Sequence, residues 1–257
     1  MPADIDALSA ALHRALRTRT PIAPLKARFA DLTIEDAYHI SEGILRRRLA
    51  DGESVIGKKI GVTSPAVQQM LGVHQPDFGY LTDAMLVDGP VPVSTQLIQP
   101  RAEGEIAFRL GRDLTGPGIR PADVLAATAT VHPCFEIVDS RVADWKIGIE
   151  DTVADNASSG LFAVGDGVAP GGVDFTGCEM RVSKNGQPLS SGFGRAALGS
   201  PLKAVAWLAN TMGRFGVPLR AGEWVLSGSL VPLEPVCAGD HMHLTIQGIG
   251  ALAVRFT

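Results

Sequence analysis

The chain has 257 residues, of which 46% are hydrophobic and 19% charged, and its formal net charge is −4. This is an ordinary globular composition, and the chain is long enough to bury a substantial core. The acidic balance and the low aromatic content, 5%, argue against nucleic-acid binding. No apolar run approaches the roughly 18 residues of a membrane span, and the first residues do not resemble a secretory leader. We therefore expect a cytoplasmic protein with free thiols at its three scattered cysteines.

Two amphipathic helices are predicted near the N-terminus, over residues 3–18 and 33–50, from apolar residues at helical spacing. Thr33 is expected to cap the second helix, with Asp36 completing a capping-box pair. We assign residues 1–54 to an N-terminal helical subdomain and residues 55–257 to a β-rich domain.

From about residue 55 onward, short β-like runs alternate with Gly, Pro and Asp turns. Strands are predicted over residues 55–62, 103–110, 132–138, 160–164, 178–184, 223–227, 241–246 and 251–256. Short helices are predicted over residues 64–71, 121–128 and 201–213. Asn185-Gly186 predicts a tight hairpin, although Pro188 weakens the strand that follows it. Strands with inserted helices, in no regular βαβ order, indicate an α+β fold.

The main chemical signal is a pair of glutamates, Glu103 and Glu105, at the start of a strand-like run. Residues two apart on a strand share one face, so the two carboxylates point to the same side. Many such pairs simply line a solvated strand face. Two like charges held this close are otherwise costly unless a cation lies between them.

Glu136 favours a cation site over a solvated strand face, because it lies in a second strand-like run rich in Val, Ile and Phe. A carboxylate buried in so apolar a segment needs a partner. If the two strands are neighbours, three carboxylates converge. Oxygen ligands of this kind suit Mg²⁺ or Mn²⁺ better than Zn²⁺.

Lys59 and Asp77 are candidates for proton transfer. Lys58 and Lys59 point to opposite faces of a predicted strand, so one of them is able to face inward, near metal-bound acids. An edge-strand lysine that resists aggregation is the alternative. Asp77 lies at the centre of a Pro/Gly turn, which is consistent either with a turn former or with an active-site loop.

The segment 151–160 is dense in small polar side chains and is suited to wrap a small anion with hydroxyls and backbone N–H groups, or to form a capped loop. The sequence has no dinucleotide-binding glycine motif, no P-loop, no serine-hydrolase elbow and no zinc-protease motif. Nucleotide cofactors and serine hydrolysis are therefore poorly supported.

Taken together, the motifs resemble the 2-oxopent-4-enoate (2-hydroxypenta-2,4-dienoate) hydratases of aromatic meta-cleavage pathways, which belong to the fumarylacetoacetate hydrolase superfamily. The resemblance spans nearly the whole chain. It is carried by six segments, at residues 59–64, 72–79, 101–107, 136–141, 151–160 and 248–256.

The resemblance implies a mixed β-roll or barrel-like core with a smaller N-terminal helical part. It also implies a cytosolic homo-oligomer, Mg²⁺ or Mn²⁺ as cofactor, and Glu103, Glu105 and Glu136 as metal ligands. Lys59 and Asp77 match the active-site lysine and aspartate of the family. Asp155, Ser158 and Ser159 fall in the segment that lines the substrate pocket.

The implied activity is metal-dependent hydration of 2-hydroxypenta-2,4-dienoate to 4-hydroxy-2-oxopentanoate. Hydration of a longer 2-hydroxydienoate and decarboxylation of 4-oxalocrotonate are the alternatives within the superfamily. Asp77 favours the hydratase, because decarboxylases of this family tend to carry an apolar residue in that loop. A non-catalytic subunit that stabilises a partner aldolase or decarboxylase is the alternative outside enzymology, and the intact set of acids argues against it.

Overall fold

The structure, a computed structural model, describes residues 3–64, 68–69 and 72–257. The helix predicted over residues 64–71 lies outside the described residues for most of its length. The helices are α1 (Ile5–Thr18), α2 (Leu25–Arg28), α3 (Ile34–Ala50), α4 (Val93–Gln96), α5 (Pro121–Ala127), α6 (Ile149–Ala154) and α7 (Pro201–Gly213). No helix in these ranges is long and apolar enough to cross a membrane.

Eleven strands are present in the described part of the chain. They are β1 (Val55–Gly61), β2 (Asp77–Thr82), β3 (Arg101–Leu110), β4 (Thr128–Val138), β5 (Leu161–Val164), β6 (Glu179–Lys184), β7 (Gln187–Phe193), β8 (Trp224–Leu226), β9 (Glu234–Pro235), β10 (His241–Ile246) and β11 (Gly250–Arg255). All eight predicted strands are found, with ends shifted by up to four residues.

The local signals in the sequence explain several of these elements. Thr33 Oγ1 accepts a hydrogen bond from Asp36 N at 3.1 Å and Asp36 accepts one from Thr33 N at 3.0 Å, which confirms the predicted capping box of α3. Asn185 and Gly186 both adopt positive φ, as a two-residue hairpin turn requires. The strand after that turn runs to Phe193 despite Pro188, because β7 is an edge strand and needs no ladder hydrogen bond from that nitrogen.

Two sheets form the body of the molecule. In the described residues, the large sheet has the order β2-β1-β8-β3-β4-β5, with β9 paired to β3, and the small one has the order β11-β10-β6-β7. The large sheet curls, so that Leu86, just after β2, bridges to Phe162 on β5 at the opposite edge. A curled large sheet with one parallel pair, β1 with β8, an antiparallel small sheet and helices outside any regular βαβ order confirm the α+β, barrel-like fold.

The two faces of the large sheet differ in chemistry. One face packs on the main core, with Ile106, Phe108, Phe135 and Ile137 fully buried. The other face carries a smaller apolar cluster formed by Leu81, Met85, Ala107, Cys134, Phe162 and Leu226. The predicted acids lie on this second face, beside that cluster, so the curl of the sheet encloses them.

The N-terminal helices have a cluster of their own, which we call the N-terminal cluster: Leu8, Leu12, Leu25, Leu32, Ala37, Ile40, Ile44, Val153 and Ala154. Val153 and Ala154 belong to α6, so the helices complete their core with the segment that precedes the small polar residues. The division into residues 1–54 and 55–257 stays a prediction.

A buried polar network joins these helices to β2. Arg48 Nε donates to Glu53 Oε2 at 2.7 Å, and its Nη2 donates to Thr82 Oγ1 at 2.8 Å. Thr82 Oγ1 in turn donates to Glu53 at 2.5 Å, and Arg17 donates to the other oxygen of Glu53 at 2.6 Å. The Arg48 and Glu53 side chains are each 8% exposed, so the network fixes α3 against the end of β2.

We predict that Arg48→Met destabilises the protein by about 3 kcal/mol, because it removes the buried cation beside Glu53 and leaves that carboxylate with Arg17 and the Thr82 hydroxyl as partners. Urea unfolding measures the change. Arg181→Met, which removes an arginine from an exposed pair with Glu179, is the control and is expected to have no measurable effect. Equal unfolding midpoints for wild type and Arg48→Met would show that the network contributes nothing.

Candidate metal centre and active site

The pairing of β3 with β4 gathers the three predicted glutamates. Glu103 lies directly opposite Glu136 in the antiparallel register, and Glu105 lies two residues along the same face, opposite Cys134. Carboxylate oxygens of Glu103, Glu105 and Glu136 lie within 4.8 Å of one another. The convergence expected from the sequence is therefore present.

The cluster is buried and short of partners. Glu105 and Glu136 are 0% and 1% exposed, whereas Glu103 is part-buried. Glu105 Oε2 accepts a hydrogen bond from Gly228 N at 2.8 Å. Among the described residues, Glu105 Oε1 and Glu136 Oε2 have no hydrogen-bond donor, and Glu136 Oε1 has only the ion pair with Lys59. Buried carboxylate oxygens left open toward one point fit a hard divalent cation with oxygen ligands.

The electrostatics agree with this arrangement. Burial, and then the charge of Glu136, raise the pKa of Glu103 to about 8. The same two causes raise the pKa of Glu105 well above its usual range. Like charges in a dry site disfavour ionisation, and a bound cation reverses that preference.

Gly228 is a residue of the site that the sequence analysis missed. Its φ is +96°, and a Cβ there would lie 2.3 Å from Thr63 Cγ2. Only glycine has the backbone freedom and the small size to present its N–H to Glu105 from this position. No local signal marks it, because its partner is 123 residues away in the chain.

Lys59 and Asp77 lie beside the glutamates on neighbouring strands. Lys59 Nζ is 3.2 Å from Glu136 Oε1, and the lysine is 2% exposed. Asp77 pairs with Gly61 in the β1–β2 register, and a Cβ on Gly61 would lie 2.2 Å from Asp77 Oδ1 and 3.5 Å from Lys59 Nζ. The two side chains therefore meet over Gly61.

Asp77 begins β2, so the predicted loop placement was wrong. The Pro/Gly context suggested a turn, but Asp77 is the first residue of a strand and is 2% exposed. Neither of its oxygens has a hydrogen-bond donor among the residues described. Burial raises the pKa of Asp77 to about 6, against the charge of Lys59, which lowers it.

The pKa of Lys59 is raised. Burial alone would lower it, but the charges of Glu136 and Asp77 outweigh that effect and keep the ammonium protonated. Lys58 is also buried, on the opposite face, where its Nζ lies 2.5 Å from Glu223. The lysine that faces the acids is Lys59.

The segment 155–159 lies next to β2. Asp155 accepts hydrogen bonds from Arg141 N at 2.8 Å and from Arg141 Nε at 2.6 Å, and both residues are buried. Both Asp155 oxygens are thus engaged by Arg141, a residue that the sequence analysis did not single out. Asp155 anchors the segment and does not present a free carboxylate to a ligand.

Ser158 and Ser159 are both buried but have different neighbours. Ser158 Oγ hydrogen-bonds Thr152 Oγ1 at 3.1 Å, whereas Ser159 Oγ donates to Asn156 O at 2.7 Å. Ser159 Oγ also lies beside Gly79, where a Cβ would be 3.0 Å away. Gly79 pairs with Lys59, so Ser159 lies on the side of the segment next to the lysine strand.

The backbone of this segment is strained. Asn156, Ala157 and Ser158 have φ values of 54°, 51° and 53°, in the left-handed region. Each such residue costs on the order of 1–2 kcal/mol. Asn156 compensates by pairing its side-chain amide with Tyr80 N at 2.8 Å and Tyr80 O at 2.9 Å. Strain of this kind, held by buried clamps, is characteristic of functional segments.

Comparison with known proteins identifies the family of the chain. The model of the fumarylacetoacetate (FAA) hydrolase C-terminal family matches residues 58–257. The chain belongs to the hydratase branch of the fumarylacetoacetate hydrolase family. It is 58% identical to a 2-hydroxyhexa-2,4-dienoate hydratase of Comamonas testosteroni, over 96% of this chain and 95% of that protein.

Two further relatives are similar over most of the chain. A 2-hydroxypent-2,4-dienoate hydratase of Pseudomonas putida is 63% identical over 83% of this chain and 97% of its own length. The solved 4-oxalocrotonate decarboxylase of Pseudomonas putida G7, complexed with magnesium and adipate, superposes with a TM-score of 0.94. It is 36% identical, with coverage of 98% of this chain and 97% of that one. The magnesium of this relative supports a divalent metal as cofactor.

We predict that metal binding releases protons. With the pKa of Glu103 at about 8, the metal-free cluster holds protons near neutral pH that a cation must displace. Mn²⁺ affinity should therefore rise from about pH 6 to about pH 8, as measured by calorimetric titration in two buffers of different ionisation enthalpy. Glu103→Gln should release fewer protons, and a heat independent of the buffer would contradict the prediction.

The same shifts predict how stability depends on pH. An acid with a higher pKa in the folded than in the unfolded chain retains its proton longer when folded. The free energy of unfolding of the metal-free protein should therefore fall as the pH rises from the pKa that the glutamates have in the unfolded chain to the folded-state pKa of Glu103, about 8. Saturation with Mn²⁺ should abolish that loss.

Proposed function

We propose that this protein hydrates 2-hydroxypenta-2,4-dienoate (2-oxopent-4-enoate) to 4-hydroxy-2-oxopentanoate, using Mg²⁺ or Mn²⁺. The observation that carries the proposal is the buried trio of Glu103, Glu105 and Glu136 with Asp77 and Lys59 beside it. The names of the relatives in the hydratase branch support the same substrate class.

The three glutamates would hold the cation. Such a cation supplies Lewis-acid stabilisation of the negative charge that develops on the 2-oxygen of the substrate. Lys59 contributes a fixed positive charge next to Glu136 and stays protonated because its pKa is raised. The lysine thereby limits the repulsion among the acids and adds to the positive field at the developing enolate.

The overall change is a protonation of the diene followed by addition of water. A proton at C5 converts the dienol into an α,β-unsaturated 2-oxo acid, and water then attacks C4. Asp77 is suited to accept the proton of that water at a carboxylate oxygen, because a pKa of about 6 leaves it ionised at neutral pH and still basic enough to act. No side chain among the described residues donates a hydrogen bond to its buried oxygens.

The segment 156–159 is proposed to line the substrate pocket. Ser159 lies nearer the lysine strand, and Ser158 lies on the side of Thr152. We assign Asp155 a supporting role, through Arg141, in holding this segment against β2. The homo-oligomer, the pathway aldolase or decarboxylase partner and the cytoplasmic location remain predictions.

A small substrate panel tests the function. Purified protein is stripped of metal, reloaded with Mg²⁺ or Mn²⁺, and assayed with 2-hydroxypentadienoate, 2-hydroxyhexadienoate and 4-oxalocrotonate, without other enzymes. Loss of dienoate absorbance with formation of the 4-hydroxy-2-oxo acid and no CO₂ is the expected result. Release of CO₂ from 4-oxalocrotonate would identify a decarboxylase. A preference for 2-hydroxyhexadienoate would identify a hydratase of longer substrates, and a lack of turnover with all three compounds would identify a non-catalytic subunit.

We predict that Glu105→Gln abolishes turnover and weakens Mn²⁺ binding by more than about 100-fold. Changes in residues that merely orient metal ligands already cost about 10–100-fold, so loss of a direct ligand should exceed that. Titration followed by Mn²⁺ electron paramagnetic resonance measures the affinity. Glu179→Gln, on β6 outside the cluster, is the control. Wild-type Mn²⁺ affinity in Glu105→Gln would remove Glu105 from the ligand set.

We predict that Asp77→Asn lowers kcat about 10²- to 10⁴-fold, the usual contribution of a general base, and leaves Mn²⁺ affinity nearly unchanged. The loss arises because an amide cannot accept the proton of the attacking water. Asp88→Asn, an exposed acid in the same part of the chain, is the control. Full turnover by Asp77→Asn would exclude Asp77 from the chemistry.

A further inference from the structure

Tyr38 of α3 connects the N-terminal helices to the strand that carries Asp77. Its ring stacks on the ring of Phe78, with centroids 4.5 Å apart and planes 18° from parallel. Tyr38 also packs against both the N-terminal cluster and the main core. Tyr38 is therefore a direct apolar contact between the N-terminal helices and β2, the strand that carries Asp77.

Phe78 follows Asp77 in β2, and the two side chains point to opposite faces of the sheet. Fixing Phe78 on the core side consequently fixes the backbone from which Asp77 reaches the site. This matters because no side chain among the described residues hydrogen-bonds the Asp77 carboxylate, whose pKa is lowered only by Lys59 and by the backbone of Asp77 and Gly61. Its direction is set by the strand itself and by the nearby Lys59 ammonium.

The surroundings of the Tyr38 hydroxyl agree with this placement. Burial raises the pKa of Tyr38, and the negative charge of Asp77 raises it further. A backbone hydrogen bond with Phe78 lowers the pKa of Tyr38 by less than these two effects raise it, so the phenol stays neutral. The family model matches from residue 58 onward, so Tyr38 lies in a part of the chain outside that match.

We propose that Tyr38 is a positioning residue for the hydration reaction: its stack on Phe78 holds the start of β2 so that Asp77 is aligned with the attacking water. The proposal rests on the proposed function, since it assigns Tyr38 a role through Asp77. Misplacement of a reacting group by about 1 Å costs about 100-fold in rate, so a modest shift of β2 is enough to be measured.

The test compares Tyr38→Leu, Tyr38→Phe and Ile44→Ala. Tyr38→Leu removes the stacked ring and should lower kcat about 10- to 100-fold, with KM and Mn²⁺ affinity within about twofold of wild type. Tyr38→Phe keeps the ring and should restore kcat. Ile44 lies in the N-terminal cluster on the same helix, so Ile44→Ala should lower the melting temperature and leave kcat unchanged.

Phe78→Leu removes the other ring of the stack, and it replaces Tyr38→Leu in the test if Tyr38→Leu fails to fold. It should lower kcat as Tyr38→Leu does, and the double variant should be no worse than either single one, since both remove one interaction. Wild-type kcat in Tyr38→Leu and Phe78→Leu, an equal kcat loss in Ile44→Ala, or no restoration by Tyr38→Phe would each overturn the proposal.

Asp77→Asn separates this proposal from the proposed function. If Asp77→Asn is impaired and the two stack variants are not, only the role of Tyr38 fails. If Asp77→Asn is fully active, the hydration mechanism itself fails, whatever the stack variants do.

Discussion

The molecule is organised around mutual repulsion among three buried carboxylates. Glu103, Glu105 and Glu136 are brought within 4.8 Å of one another by the pairing of β3 with β4. One ammonium, from Lys59, lies against this group, and it contacts Glu136 only on one oxygen. One positive charge is too little to neutralise three carboxylates in a dry environment, which raises the pKa of Glu103 and Glu105. A divalent cation resolves this imbalance, so metal binding and the shape of the cluster are two aspects of one constraint.

The sheet tolerates this arrangement because its other contacts are rigid. Apolar residues on the opposite face are fully buried, and the curl from β2 to β5 is closed by the contact of Leu86 with Phe162. Glycines allow close approach where a side chain would interfere: Gly61 leaves room for Asp77 and Lys59 to meet, and Gly228 brings a backbone N–H to Glu105. Apart from Lys59, the contacts that hold the acids in place come from residues that carry no charge.

Signals that are local in the sequence were the ones that could be predicted. Glu103 and Glu105 share a face because strand geometry imposes it, and Thr33 with Asp36 caps α3 through contacts three residues apart. The long-range contacts could not be predicted in this way. Asp77 was misplaced because Pro and Gly beside it indicate a turn, whereas its pairing with β1 makes it a strand residue. Gly228 and Tyr38 act on partners far away in the chain, so no spacing revealed them.

The buried acids alone do not determine the reaction, since the solved relative with a TM-score of 0.94 is a decarboxylase. Loss of CO₂ from the distal carboxylate of 4-oxalocrotonate requires that the electrons of the broken C–C bond pass through the conjugated chain to the 2-oxygen near the cation. Addition of water requires, besides that, a group to take a proton. The proposed mechanism assigns this second requirement to Asp77, which has a pKa of about 6 and lies next to Lys59. In that mechanism the choice of reaction depends on β2, on the segment 156–159 that packs against it, and on the helix α3, which reaches β2 through Tyr38.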